Sequence, residues 1–510
     1  MKRSTYIWSL LVGCVAFATS CDLTENVQVK ADKSMIFGSK SGLELYSNSF
    51  YKALPTLKNG FMQDKMCDVG AVSNTDTFIK EGAYNTETAT SWSWGALKNV
   101  NYFIDGCNDP KYCTVEAETR DNYLGIARWF RAWFYYDKLT TYGEVPWFPN
   151  DIQSYQNDVM YKDRDSRDVI IRNLIADLDF AYEHIQATSS TGSATLTRWA
   201  AAALKSRVCL FEAAYRRYHN LTGLEITPEE LYREAAKAAK LVIDNSGCSL
   251  NTAAGKKGAY RDLFYSETPL TQEVILAVCA NEKSGIFGEQ NWWFNARSYG
   301  LCWSLVRSFV HTYLKQDGTP FTAAADYAVK SFAEEMEGRD LRLEQTVRGR
   351  NFLWDGKTAV ADIKNLSLTG YQVIKYTLDE SKYDGGAKNI NSIPLIRYAE
   401  VLLNYAEAQA ELGVITDSEW ALTVGALRKR AGITGGTETL PTTVDSYLQR
   451  TFYPDVTSPV LLEIRRERAI ELVAEGMRFD DLRRWKCGSL METLPWSGIH
   501  IPGLEQPVDV

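Results

Sequence analysis

Apolar positions recur along this chain mostly at three- and four-residue spacing, which predicts amphipathic helices. In Trp94–Cys107 the inward set is Leu97, Val100, Phe103 and Ile104. In Glu118–Tyr142 it is Leu124, Ala127, Phe130, Phe134 and Leu139, followed by Gly143 and Pro146, a normal helix stop. Asp165–Gln186 carries Val169, Ile170, Leu174, Leu178 and Ile185. Thr197–His219 carries Ala201, Leu204, Val208 and Phe211, with Thr197 placed to cap it. Thr227-Pro228-Glu229-Glu230 opens another helix with a capping residue, a first-turn proline and early acids; it should run to Asn245, before Gly247. Pro394–Leu412 and Asp417–Ala431 read as a helical pair joined at Gly413.

Several of these segments are neighbours with short links and small residues at helical spacing, such as Ala235, Ala236, Ala238 and Ala239. One such pair cannot bury its own apolar face, so pairs of this kind stack in the manner of tetratricopeptide units. Residues 249–390 break the pattern. They hold more glycine, short mixed runs such as Val274–Val278 that suit a strand, and an aromatic cluster of Trp292, Trp293, Phe294, Tyr299 and Trp303. A long irregular insertion in a helical array is expected to carry function.

The N-terminus changes the picture. Lys2 and Arg3 precede an apolar run, Tyr6–Ala18, too short to span a bilayer but suited to an export signal. It ends in Ala18-Thr19-Ser20-Cys21, a bacterial lipobox in which Cys21 would be acylated, although Ala18 stands where leucine is usual. Ala16-Phe17-Ala18 offers ordinary cleavage as the rival. Loss of residues 1–20 moves the net charge from −8 to −10. An acidic chain lacks the basic face that phosphate binding needs, which argues against nucleic acid. The cysteines show no CxxC or other metal spacing. Cys107 and Cys113 either bridge through the intervening turn or stand as buried thiols. No D-x-D-x-D-G run, zinc signature or G-x-S-x-G is present, so neither metal, cofactor nor catalysis is expected.

Ile464–Lys486 packs twelve charges of both signs into twenty-three residues. Ile464, Ala469, Ile470, Leu472 and Val473 share a broad face, Arg468 and Glu471 are spaced to pair, and Gly476 suits a left-handed helix end. A second helix should start near Asp480, with Asp480 facing Arg483 or Arg484, and Leu482 and Trp485 turned inward. Carboxylates this close to arginines are usually salt-bridged, so the segment is expected to be structural.

RRERAIELVAEGMRFDDLRRWK (465–486) resembles the C-terminal signature of the SusD/RagB family of Bacteroidetes outer-membrane lipoproteins. IPLIRYAEVLLNYAEAQAELG (393–413), YLGIARWFRAWFYYDKLTTYGEVPWF (123–148), ATLTRWAAAALKSRVCLF (194–211), GRDLRLEQTV (338–347) and TGYQVIKY (369–376) are similar to further family segments in the same order. The resemblance implies a mainly α, SusD-like array of tetratricopeptide-like helical pairs with an irregular, loop-rich, ligand-binding insertion. The expected parts are a signal peptide (1–20), a lipid-anchored tether (21–45), an N-terminal repeat part (46–248), the insertion (249–390) and C-terminal repeat helices with the signature (391–510). It further implies a cell-surface lipoprotein, anchored to the outer membrane through Cys21, that captures glycan for a SusC-like TonB-dependent transporter. Sugar rings stack their C–H faces on aromatic side chains while polar groups bond their hydroxyls. The expected ligand-binding residues are therefore Trp92 and Trp94 ahead of the first long helix, and Trp292, Trp293, Tyr299 and Trp303 with Asn291, Asn295 and Arg297 in the insertion. Trp292 and Trp293 would face opposite ways on an extended chain, leaving one for ligand. The rival readings are peptide or other nutrient capture by the same lid mechanism, and a protein-binding scaffold with no small-molecule ligand.

Overall fold

The structure is a computed structural model that describes residues 33–58, 64, 67–73, 85, 87, 91–295, 302–362 and 366–501. Cys21, Arg297 and Tyr299 lie outside the described residues.

The predicted helices form with boundaries close to those read from periodicity: α1 Gly95–Asn108, α2 Ala117–Tyr142, α3 Arg167–His184, α4 Arg198–Tyr218 and α5 Pro228–Asn245. The α5 start is the full reciprocal cap. The Thr227 hydroxyl accepts from the Glu230 amide (3.2 Å), and the Glu230 carboxylate accepts from the Thr227 amide (2.7 Å). Each helix packs on its neighbours in the chain, and their inner faces merge into one core from Leu97 through Trp129, Leu174 and Leu204 to Leu231.

After α5 the chain leaves the array. Strand β1 (Val274–Val278) forms as expected. A short helix, α6 (Gln290–Asn295), follows, and then a two-residue hairpin of β2 (Leu353–Trp354) and β3 (Lys357–Thr358). Its turn is Asp355-Gly356, both with positive φ (50° and 72°), as a tight hairpin of this type requires. Strand β4 (Ile393–Arg397) pairs antiparallel with β1. It corrects the helix expected from Pro394: the chain stays extended through Arg397, and α7 runs only over Tyr398–Glu411. The helix expected over Asp417–Ala431 is likewise two, α8 (Asp417–Leu422) and α9 (Val424–Arg430). At the break the Thr423 hydroxyl donates back to the Glu419 carbonyl (2.6 Å), which competes with the helical ladder.

The C-terminal part continues with α10 (Ser446–Phe452), α11 (Pro459–Glu471) and α12 (Arg478–Arg484). Helix α7 packs on α5, α4 and α11, so these helices rejoin the array. A second core lies under the insertion, built from Val69, Tyr260, Phe264, Phe294, Trp303, Phe309, Tyr371 and Tyr376. Helix α11 serves both cores: Ile464 belongs to the first, and Ile470 to the second.

That position explains the charged signature. A helix buried on every side must neutralise its own charges. Glu471 is fully buried and touches Arg342 (2.7 Å), Arg397 (2.5 Å) and Arg430 (2.5 Å). Burial alone would raise its pKa, but these three guanidiniums outweigh burial and hold it well below the usual carboxylate range. Glu467 meets Arg342 and Arg428, and Glu475 meets Lys375 and Arg397. The expected Arg468–Glu471 pair is replaced by distant partners, Arg468 binding Asp481 (2.8 Å) and the Asn404 side chain (2.8 Å). Asp480 pairs with Arg483, and Leu482 and Trp485 are buried, as expected. The helix ends five residues before Gly476 because tertiary donors take its last carbonyls. Tyr260 and Arg397 bond the Glu471 oxygen, and Lys375 bonds that of Val473.

Cys107 and Cys113 are both free thiols, as are the other described cysteines.

Candidate functional site

Helix α6 carries the adjacent tryptophans, and buried amides fix its position. The Asn291 side chain donates to the Leu378 carbonyl (2.8 Å) and to Asp384 (3.1 Å), and accepts from the Leu378 amide (2.7 Å) and Asn389 (2.7 Å). Asn389 donates onward to Asn391 (3.0 Å), which donates to the carbonyls of Phe264 (2.7 Å) and Tyr376 (2.9 Å). All three asparagines are fully buried. This corrects the expectation for Asn291: every bonding direction of its side chain is already used inside the fold.

Trp292 and Trp293 are each partly exposed. On a helix, neighbouring side chains diverge by about 100° rather than by the 180° of an extended chain. Their ring centroids therefore lie 5.0 Å apart with planes inclined by 59°, side by side rather than in the opposed arrangement expected from the sequence. The Trp293 indole N–H donates to Glu289 (3.1 Å), and Glu289 pairs with Lys58 (3.0 Å). Asn295, also partly exposed, donates to Asp384 (3.2 Å) and accepts from Gln372 (3.3 Å). Burial pushes the Asp384 carboxyl up, against the hydrogen bonds from Asn291 and Asn295.

Trp303 belongs to the second core. Its indole lies so close over Gly70 that a β-carbon there would sit 2.8 Å from the ring. At 4% exposed it offers no face to a ligand, which corrects its place among the stacking residues.

The other aromatic group lies before α1. Trp92 is 42% exposed, edge-on to Trp94 (5.2 Å) and Tyr142 (4.8 Å), with the Arg164 guanidinium 5.5 Å from its ring centroid. Trp94 turns inward against Phe134 and Phe148, leaving Trp92 as the outward ring of the pair.

A third group escaped the sequence reading. Phe352 and Trp354, at the β2 edge of the hairpin, lie 6.2 Å apart, and Arg348 stands 5.2 and 5.7 Å from their ring centroids. Asp355 ties the turn to the insertion by accepting from the Ser381 amide (2.9 Å). The Asp355-Gly356 dipeptide was the signal for this hairpin.

These features define a class: an array of helical pairs supporting an irregular insertion whose partly exposed aromatic rings are held by buried polar groups. Residues 272–501 match the SusD family model, so this part of the chain is similar to the SusD family. Solved structures share the fold over nearly the whole chain. A SusD-like carbohydrate-binding protein from Bacteroides fragilis superposes with a TM-score of 0.72 at 20% identity, over 92% of this chain and 91% of its own. A SusD homolog from Bacteroides thetaiotaomicron gives 0.65 at 18% identity, over 91% and 90%. A further structure, containing a xylogluco-oligosaccharide, gives 0.59 at 19% identity, over 87% and 82%. No curated protein matches the chain.

Proposed function

We propose that this protein is a surface lipoprotein that captures oligosaccharide and hands it to a SusC-type TonB-dependent transporter, with Cys21 as its lipid anchor. The observation that carries the reading is the Trp292–Trp293 surface on α6: two partly exposed indoles on a helix whose position is fixed by a relay of fully buried asparagines. Holding aromatic rings in place before binding removes the entropic cost of ordering them, and flat apolar rings beside hydrogen-bonding groups match the two faces of a sugar. Asn295 and Asp384 are the polar groups beside that surface. Trp92, Phe352 and Trp354 are further partly exposed rings, and Arg297 and Tyr299 follow α6 in the chain.

The mechanism is capture without bond breaking. The carboxylates of the signature that resemble an acid–base set, Glu467, Glu471 and Asp481, are each spoken for by arginines in the core. A SusD-like relative described as carbohydrate-binding, and another crystallised with a xylogluco-oligosaccharide, support a saccharide as the ligand class. Among the described residues no helix is long and apolar enough to cross a membrane.

Calorimetric titration of residues 22–510 against a panel of polysaccharides and peptides tests the reading. Saturable binding to one polysaccharide class is the expected result. Binding to peptides alone would assign the same platform to peptide capture, and no binding by the folded protein would favour a protein-binding scaffold.

A further inference from the structure

The α6 rings and the hairpin rings are joined by residues 379–384. At one end Asp384 accepts from Asn291 (3.1 Å) and Asn295 (3.2 Å) of α6. Toward the other, the Ser381 amide donates to Asp355 in the hairpin turn (2.9 Å), and the Asp355 amide donates to the Asp379 carbonyl (3.0 Å). A second link runs beside the first. Gln372 donates to Asn295 (3.3 Å) and accepts from Arg348 (3.4 Å), whose guanidinium stands against Phe352 and Trp354. Two short chains of hydrogen bonds thus hold the two ring pairs in fixed relation to each other.

The polar groups between the ring pairs are within reach of solvent. Asn295, Asp384, Phe352 and Trp354 are all partly exposed. Asn291 and Asn295 donate to the same Asp384 oxygen, Oδ1. Among the described residues Oδ2 of Asp384 accepts no hydrogen bond, and no cation forms an ion pair with the carboxylate. Asp355 and Arg348 act on it from a distance and with opposite signs. Three neighbouring carboxylates are already matched: Asp379 by Arg261 (2.6 Å), Glu380 by Lys382 (2.8 Å) and Glu289 by Lys58 (3.0 Å). Asp384 therefore presents an unused, partly desolvated acceptor beside aromatic rings. A sugar hydroxyl can donate to it, and a hydrogen bond to a charged acceptor is a strong one. A uronate or sulfate group has no proton to give and meets a like charge there.

We propose that the ligand site runs from Trp292 and Trp293 across Asn295 and Asp384 to Phe352 and Trp354, and that Asp384 makes it selective for a neutral glycan chain over an acidic one. One sugar stacks at each ring pair, and hydroxyls of the chain between them donate to Oδ2 of Asp384. Arg348 and Gln372 are positioning residues that set the hairpin rings relative to α6. The inference rests on saccharide capture as the function and adds to it the charge class of the ligand and its extent, a chain rather than a single sugar.

The test is calorimetric titration of residues 22–510 with neutral polysaccharides (xyloglucan, galactan, arabinan, mannan), with acidic ones (polygalacturonate, chondroitin sulfate), and with oligosaccharides of increasing length cut from the neutral polysaccharide that binds. The wild type should bind a neutral polysaccharide in preference to both acidic ones, and its affinity should climb as the oligosaccharide lengthens. Asp384→Asn keeps an acceptor oxygen for Asn291 and Asn295, so it should fold; it should lose about tenfold in neutral affinity, the loss expected for one hydrogen bond to a charged group. Phe352→Ala/Trp354→Ala should bind short oligosaccharides as the wild type does and gain nothing from longer ones. If Asp384→Asn does not fold, the hairpin variant and the wild-type comparison of neutral with acidic chains still decide. Undiminished affinity in folded Asp384→Asn, an unchanged length profile in the hairpin variant, or tighter binding of an acidic polysaccharide would each overturn the proposal. If Trp292→Ala/Trp293→Ala loses binding in the same series, the saccharide reading itself stands. No binding to any polysaccharide would overturn both.

Discussion

The signature helix and the tryptophan helix invert what their compositions suggest. Helix α11 is dense in charge, the usual mark of a solvated face, yet Glu467, Arg468 and Glu471 are buried between two cores. Helix α6 is rich in tryptophan, the usual mark of a core, yet Trp292 and Trp293 are both partly exposed while Asn291 is sealed. The difference lies in what surrounds each helix. Charges can be buried where opposite charges converge from several segments, and aromatic rings can be held at a surface where buried amides fix the backbone beneath them. In the first region charge supports the fold; in the second, polar groups support the partly exposed rings proposed to bind ligand.

The comparison breaks first, and hardest, at Glu471. Glu471→Gln leaves Arg342, Arg397 and Arg430 short of a buried counter-charge and should cost about 3–5 kcal/mol in chemical denaturation. The same group sets an acid limit. A carboxylate held below its ordinary 4.5 stabilises the fold fully above that pH, and the contribution is lost as pH falls from there toward its folded value. Stability of the wild type should therefore fall below about pH 4.5, and less steeply in the variant.

Next comes Trp303→Ala, which empties the space over Gly70 and should cost about 3 kcal/mol while leaving ligand affinity unchanged. Thermal melting and titration on the same sample separate the two readouts. Asp64→Asn should act in the opposite direction. Burial raises the Asp64 carboxyl from 3.8 to about 7, so the folded state holds its proton longer than the unfolded chain does. Wild-type stability is then penalised progressively as pH rises from about 4 to 7. The variant should match the wild type near pH 4 and exceed it by about 2–4 kcal/mol at pH 8. Equal stability at both pH values would show that Asp64 ionises freely. The smallest effect is expected at Trp92→Ala, whose ring is already edge-packed on Trp94 and Tyr142: melting should be nearly unchanged, and affinity should fall severalfold if that ring extends the platform.

What the sequence disclosed follows from the range of each interaction. The α5 start was legible because its cap is local: Thr227 and Glu230 satisfy each other three residues apart. The family motifs were legible as strings, and the structural role of the charged signature followed from spacing. The partners were not. Arg468 binds Asp481 rather than the nearer Glu471, and the helix stops at Glu471 because Tyr260, Lys375 and Arg397 arrive from far along the chain. The extended start of Ile393–Arg397 was hidden for a related reason: its apolar run suits a buried strand as well as a helix, and only pairing with Val274–Val278 decides. At the site, residue type pointed to Trp92, Trp292 and Trp293, but exposure depends on packing. Trp303 could be separated from them only by the backbone of Gly70, and Asn291 only by the carbonyl, amide and side-chain groups that converge on it.

The central claim is that the α6 indoles bind saccharide and the signature does not. Calorimetric titration of the polysaccharide that binds residues 22–510, repeated with the Trp292→Ala/Trp293→Ala double variant, tests it most directly. The account predicts a loss of affinity of at least tenfold, about 1.4 kcal/mol, in a variant that still melts cooperatively. Undiminished affinity in the folded double variant would contradict it.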